Sequence, residues 1–239
     1  ISARRSYVDL IAKPFMPDDE EYSYYFYDIN AKINHKFSDR SRIYLSVYNG
    51  KDHFAANYDG DTDSKDGSTM NWGNTIVSAR WNYIFNNRLF SNTTVSYNNY
   101  LFDVNSYNNN KYANSMGASI INRYSADYRS GINDWSYQID FDYNPSPIHH
   151  IKFGTGYIYH RFRPEVMTSK ISEKTGDKVD RDTTYHSIAN SRIYGHELSA
   201  YLEDNIKVND RLRLNLGLHF RYRSRVILLC SHEFPPVIN

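Results

Sequence analysis

The chain has 239 residues, and its 28 Lys and Arg nearly balance 27 Asp and Glu at a net charge of +1. That balance leaves no basic excess to hold a nucleic-acid backbone and no acidic solvating tail. Its one cysteine, Cys230, excludes an intrachain disulfide, and 23 Tyr with 12 Phe make disorder untenable.

No run of about 18 apolar residues offers a membrane-spanning helix. The mean hydropathy of −0.70 resembles that of a soluble protein. That average does not decide, because only alternate residues of a membrane β-strand face lipid. The chain opens on Ile1 without a signal peptide. An exported protein needs one, so residues ahead of Ile1 are expected to be missing or processed.

Residues 6–13 have mixed periodicity and fit either the end of a strand or a short helix before Pro14 and Pro17. A two-residue period then takes over. In 25–37, Tyr25, Tyr27, Ile29, Ala31, Ile33 and Phe37 alternate with Asp28, Asn30, Lys32, Asn34 and Lys36. In 42–50, Ile43, Leu45 and Val47 oppose Arg42, Ser46 and Gly50. In 73–85, Val77, Ala79, Trp81, Tyr83 and Phe85 oppose Asn74, Ser78, Arg80 and Asn82. In 89–101, Leu89, Val95, Tyr97 and Leu101 oppose Asn92, Thr94, Ser96 and Asn98. Segment 135–143 sets Trp135, Tyr137, Ile139, Phe141 and Tyr143 against Ser136, Gln138, Asp140 and Asp142. Segments 151–161, 194–206 and 212–220 repeat the rule with Ile151, Phe153 and Tyr157, with Leu198, Ala200 and Leu202, and with Leu214, Leu216 and Leu218.

Strands of soluble sheets usually run about 5–6 residues. These run about 9 to 14, long enough to cross a bilayer at a tilt. Charges on the polar side point to a wet interior. Tight turns at Ser38–Ser41, Asn86–Asn87, Asn144–His149 and Val208–Asp210 alternate with long connections at about 10–21, 52–71, 103–131 and 164–191. Outer-membrane barrels have this order, with short periplasmic turns and long extracellular loops. Residues 115–128 could form another strand, but one more crossing would invert every later connection. They are therefore assigned to an extracellular loop, as a strand extension above the membrane. After Phe220 the apolar alternation stops, so 1–220 is expected to be partial barrel and 221–239, which holds Cys230, an aberrant or truncated tail.

Little in the chain suggests a reaction centre. Asp59-Gly60-Asp61-Thr62-Asp63-Ser64 starts like a calcium loop, but Ser64 stands where glycine is needed and Met70 where glutamate is needed. A solvated acidic loop is the better reading. His149 and His150 are adjacent beside a turn, so a regular strand would point them to opposite faces and away from a shared metal. His160, His186, His196 and His219 lack ligand spacing. Asp140 and Asp142 share a face but recur within the polar lining, which favours solvated lining over an acid–base dyad. No G-x-S-x-G, phosphate loop or H-E-x-x-H occurs. The aromatic cluster Tyr22, Tyr24, Tyr25, Phe26 and Tyr27 reads as an interfacial girdle. No catalytic, cofactor or metal residue is nominated, and the substrate-binding residues are not identified.

Several segments carry a resemblance. Gly131-Ile132-Asn133-Asp134-Trp135 with its following strand resembles barrel strands of TonB-dependent outer-membrane receptors. So do Pro147–Gly154 leading into Tyr159–Glu165, and Tyr201-Leu202-Glu203-Asp204 with Leu214-Asn215-Leu216-Gly217-Leu218. The similarity covers about 1–220 and is closest to receptors of the Bacteroidetes type. It implies a plugged barrel of about 22 strands. It also implies TonB-energised uptake of a scarce, bulky nutrient: a siderophore, haem, cobalamin or an oligosaccharide. Outer-membrane lipid, a plug domain, the TonB complex and the substrate would be the partners, with no nucleic acid, no cofactor and no enzyme activity.

This chain departs from that pattern in having no plug, no TonB box, about eight or nine strands and no closing strand that ends in an aromatic residue. It is therefore expected to be a fragment or a frameshifted reading that does not transport alone. Two other readings stand beside this one. One is a soluble Tyr-rich β-sandwich acting as a binding or adhesin module; the other is a small unplugged porin.

Overall fold

The computed structural model describes residues 1–17, 19–60, 64–113, 115, 117–176, 178–187 and 191–229. The strands are β1 (Ser2–Arg5), β2 (Glu20–Ser38), β3 (Ser41–Gly60), β4 (Ser64–Asn86), β5 (Leu89–Ala113), β6 (Ser119–Tyr143), β7 (His149–Thr175), β8 (Lys178–Ser187), β9 (Ser191–Lys207) and β10 (Arg213–Leu229). A helix α1 (Val8–Ala12) and a short 3₁₀ turn (Lys13–Phe15) separate β1 from β2. The ambiguous start thus resolves as a short helix ahead of Pro14, which itself lies in the 3₁₀ turn. The strands form one antiparallel sheet in the order β1 to β7, then β9 and β10, with β8 pairing β7 from the side.

Seven of the eight expected strands lie inside β2 to β7 and β9, and the eighth, 212–220, lies inside β10 but for Leu212. The long connections differ from expectation. Much of 52–71, 103–131 and 164–191 is not loop but continuation of the same ladders, so the long strands reach 17 to 27 residues. The outer part of 115–128 pairs as the first stretch of β6, from Ser119, against β5. β9 follows β7 as far as the Phe162–Ile193 pair, and β8 takes over from Met167. β10 continues past Phe220 to Leu229. It does so because Arg221 and Arg223 both bind Glu197 of β9, while Tyr222 opposes Leu198 on the other face. Residues 230–239, including Cys230, lie outside the described residues.

The short turns owe their tightness to side chains that accept backbone N–H groups locally. Asn86 Oδ1 takes the amides of Arg88 and Leu89 at 2.9 and 3.1 Å. Asn209 Oδ1 takes those of Arg211 and Leu212, both at 2.8 Å. Ser38 and Ser146 do the same through their hydroxyls. These four turns share one end of the sheet, here called the turn end; the other is the far end.

The sheet is a single layer. Ala55 is the one buried hydrophobic residue among those described, and no large side chain is fully buried. The accessible surface is 17118 Å², whereas a compact monomer of this mass exposes about 11,000 Å². A sandwich would bury its apolar face under a second sheet, and no described element covers this one.

Register sorts the residues. Ile33, Leu45, Ala79, Val95, Tyr137, Tyr157, Leu198 and Tyr222 form one unbroken row across eight strands. The adjacent row on the opposite face reads Lys32, Ser46, Ser78, Ser96, Ser136, Ile158, Glu197 and Arg223. We call these the first and second faces. The apolar band of the first face spans Val77–Phe85 on β4, Trp135–Tyr143 on β6, Ile151–Tyr159 on β7 and Leu198–Ile206 on β9. Such a span measures about 27 Å along the strand, or about 21 Å at a 40° tilt, close to the apolar height of an outer-membrane barrel.

Candidate functional site

Within the band, the second face is hydrophilic and internally bonded. Ser46 and Ser78 hydroxyls meet at 2.7 Å, and Ser96 bonds Ser136 in the same row. Asp134 holds His160 Nδ1 at 2.7 Å, and Asp142 holds His150 Nε2 at 2.8 Å. The Tyr201 hydroxyl donates to Asp140 Oδ1 at 2.8 Å, reaching from β9 to β6 across Gly154 of β7. A Cβ on Gly154 would fall 2.8 Å from the Tyr201 ring, so glycine is what permits this reach.

These contacts place the sequence candidates. His149 and His150 do point to opposite faces: His149 Nδ1 bonds Asp204 on the first face, and His150 bonds Asp142 on the second. Asp140 is taken by Tyr201 and Gln138, and Asp142 by His150 and Asn144, so the two carboxylates serve separate networks. Among the described residues no group of three or more His, Cys, Asp and Glu is gathered. Asp61, Thr62 and Asp63 of the acidic loop lie outside the described residues; Asp59 pairs with Lys65 at 2.8 Å.

Beyond the band, toward the far end, the faces exchange character. The apolar rows of the first face stop at Asn49, Thr75, Asn99 and Asn133, which pair in one register row. Farther out this face carries His53, Asn71, Asp103 and Arg129, then Thr69, Asn105 and Asp127. Asn71 links His53 at 2.7 Å to Asp103 at 3.0 Å.

The second face here turns apolar and aromatic. Phe26, Trp72 and Phe102 occupy one row, and Phe54, Met70, Val104 and Tyr128 the next. Phe102 and Tyr128 meet edge to face at 5.9 Å. Just inside these rings, Asn74 Oδ1 and Asn98 Oδ1 are buried acceptors that no described donor reaches. Sequence reasoning missed this surface, because most of its residues fall in 52–71 and 103–131, read as loops. The available signal was parity: Phe54, Met70, Trp72, Phe102 and Val104 are all even-numbered, whereas the apolar residues of the band on β3, β4 and β5 are odd-numbered.

The expected girdle at Tyr22–Tyr27 is divided by strand alternation. Tyr25 and Tyr27 lie on the first face; Tyr22, Tyr24 and Phe26 lie on the second. The rings that border the band are others. Trp81, Tyr83, Phe85, Phe141 and Phe153 run in sequence along its turn end, with neighbouring centroids 4.9 to 6.3 Å apart. Tyr97 and Trp135 pack at 4.8 Å at its far edge.

A one-layer antiparallel sheet, apolar on one face for the thickness of a bilayer core and hydrophilic on the other, is the wall of a barrel-type membrane protein. The family model "TonB dependent receptor-like, beta-barrel" matches residues 10–226, and the chain belongs to that family. Its members are outer-membrane transport receptors, not enzymes. No curated protein matches the chain. Among solved structures, LpxR from Salmonella typhimurium aligns over 89% of this chain and 90% of that one, at 7% identity and a TM-score of 0.15. That likeness carries no argument.

Proposed function

We propose that this chain forms a contiguous part of the barrel wall of a TonB-dependent receptor in the outer membrane. In this reading the first face meets lipid, the second lines the lumen, the turn end is periplasmic and the far end extracellular. The observation that carries it is an apolar row continuous across eight strands, backed by a row that is polar on seven of them, in a sheet that no described element covers.

Transport would belong to the closed, plugged barrel working with the TonB complex. Among the described residues the outer edge of β10 is unpaired, and β1 covers only Tyr27–Asn30 of β2. Open edges in lipid leave backbone groups unsatisfied at several kcal/mol each, so this sheet needs further strands beside it to enclose a path.

The inverted far-end surface is then an extracellular vestibule for substrate. Its rings offer flat apolar faces, with the carboxamide oxygens of Asn74 and Asn98 buried just inside them. Of the substrate classes served by such receptors, an oligosaccharide supplies both stackable ring faces and hydroxyl donors.

Cysteine accessibility tests the orientation. In a Cys230→Ser background, Ser78→Cys is expected to react with a membrane-impermeant maleimide, and Ala79→Cys to resist it in lipid. Reversed labelling would refute the assignment of faces.

A further inference from the structure

We propose that the turn end carries, at the edge of the second face, a docking groove for an extended acidic polypeptide segment presented from the periplasm. The inference rests on the orientation proposed above. Two hollows of about 630 and 700 Å³ adjoin here and meet at Arg88 and Asn144. Together they reach from the β2–β3 turn to the start of β10. Arg40, Arg42, Arg88 and Arg213 line them, and all four are exposed. None takes part in the ion pairs found among the described residues. Of the carboxylates that line the hollows, Asp39 pairs with Lys36 and Asp142 with His150. The groove therefore keeps a positive excess on a chain whose total charge is only +1.

The cations stand where a chain crossing the strands would meet them in turn. The β2–β3 turn with Arg40 and the β4–β5 turn with Arg88 are two strands apart in the sheet, about 10 Å. The β9–β10 turn before Arg213 is four strands farther, about 19 Å. An extended peptide rises about 3.3 Å per residue, so acidic side chains at roughly its positions 1, 4 and 10 would face Arg40, Arg88 and Arg213. Guanidinium forks suit carboxylates. Arg88 also donates to the Pro145 carbonyl at 3.0 Å, which fixes it between the two hollows.

Charge complementarity and the lining select an acidic polypeptide as the occupant. Arg42, Asn82, Ile84, Phe90 and Asp142 belong to rows of the second face, which the proposed orientation turns away from lipid. That placement disfavours a headgroup anchored by acyl chains. Ile84 and Phe90 put apolar side chains among the cations, and these suit aliphatic residues between the acids of a peptide. Carboxamides such as those of Asn87 and Asn144 suit its backbone groups.

The test uses the full chain extracted from outer membranes. The probe is a fluorescein-labelled peptide of roughly ten residues, with aspartate at positions 1, 4 and 10 and alanine or serine elsewhere. Binding is read by fluorescence anisotropy. The peptide is expected to bind about tenfold more tightly than its asparagine counterpart, and about fivefold more tightly than one whose three aspartates are adjacent. The combined variant Arg40→Gln, Arg88→Gln and Arg213→Gln should remove both preferences. Equal affinity for the spaced peptide and either control in the wild type, or preferences that survive in the variant, overturns the groove. If the variant loses heat-modifiable gel migration, the wild-type comparison of spaced and adjacent aspartates decides alone. Displacement of the peptide by phosphatidylglycerol vesicles or soluble peptidoglycan fragments, at lower concentration than by unlabelled peptide, would reassign the site and also overturn it. Orientation is read separately, by labelling Asn87→Cys in a Cys230→Ser background with a membrane-impermeant maleimide. Labelling is expected only after the outer membrane is permeabilised. Labelling of intact cells refutes the orientation, whereas lost peptide preference with the expected labelling refutes the groove alone.

Discussion

The turn-end and far-end halves of the same strands obey opposite rules. On β5, Val95 and Tyr97 point to the first face near the turns, while Phe102 and Val104 point to the second face farther out. The backbone ladder is continuous through the change. In the proposed orientation, what changes is the solvent each face meets. Near the turns an apolar exterior suits lipid, and a bonded polar interior suits water. Farther out, in the proposed orientation, Asn, Asp and Arg would face outward to water, and the rings inward to a vestibule. A membrane boundary can therefore be located within a strand by where its hydrophobic parity reverses.

The strongest way to break this comparison is to place one charge on the first face in each half. Ile139→Arg, at the middle of the band on β6, is expected to destabilise the folded protein by about 2–4 kcal/mol in a urea titration in lipid. Asn105→Arg, on the same face at the far end, should change it by no more than about 0.5 kcal/mol. Equal costs would mean that both halves meet the same solvent.

A smaller effect sharpens the lumen side. Glu197 binds both Arg221 and Arg223, whose guanidinium groups are roughly half exposed. Glu197→Ala is expected to cost about 1–2 kcal/mol after allowing for that exposure, and to speed tryptic cleavage at Arg221, Arg223 and Arg225. Unchanged cleavage would show that β10 is held without this pair.

The smallest effect belongs to the far end. Asp180 bulges from β8, and the Thr175 hydroxyl, with Lys178 beside it, holds its carboxyl below the usual carboxylate range. Its contribution is therefore present above the ordinary carboxyl pKa and is lost as pH falls through the lowered value. Protection of the β7–β8 hairpin amides relative to their intrinsic exchange rates should fall on acidification in the wild type and be less pH-dependent in Asp180→Ala.

The eight strands were legible because alternation is strict where one face meets lipid. Their true lengths were not, because the parity reversal at Asn49, Thr75, Asn99 and Asn133 mimics the end of a strand. β8 was hidden differently: Lys178–Ser187 has almost no apolar residues and is held by pairing to β7. The separation of His149 from His150 was readable from alternation alone. The far-end aromatic surface was not, since Phe26, Trp72 and Phe102 lie far apart in sequence and only register joins them.

The three tryptophans sample both halves and both faces, which makes them the most direct test. Single-tryptophan variants in lipid vesicles would be quenched in turn by brominated acyl chains and by aqueous iodide. Trp81 and Trp135, on the first face within the band, are expected to be quenched by bromine and spared by iodide. Trp72, on the second face beyond it, is expected to respond to iodide and not to bromine. Bromine quenching of Trp72, or iodide quenching of Trp81 and Trp135, would contradict a wall whose faces exchange solvent along each strand.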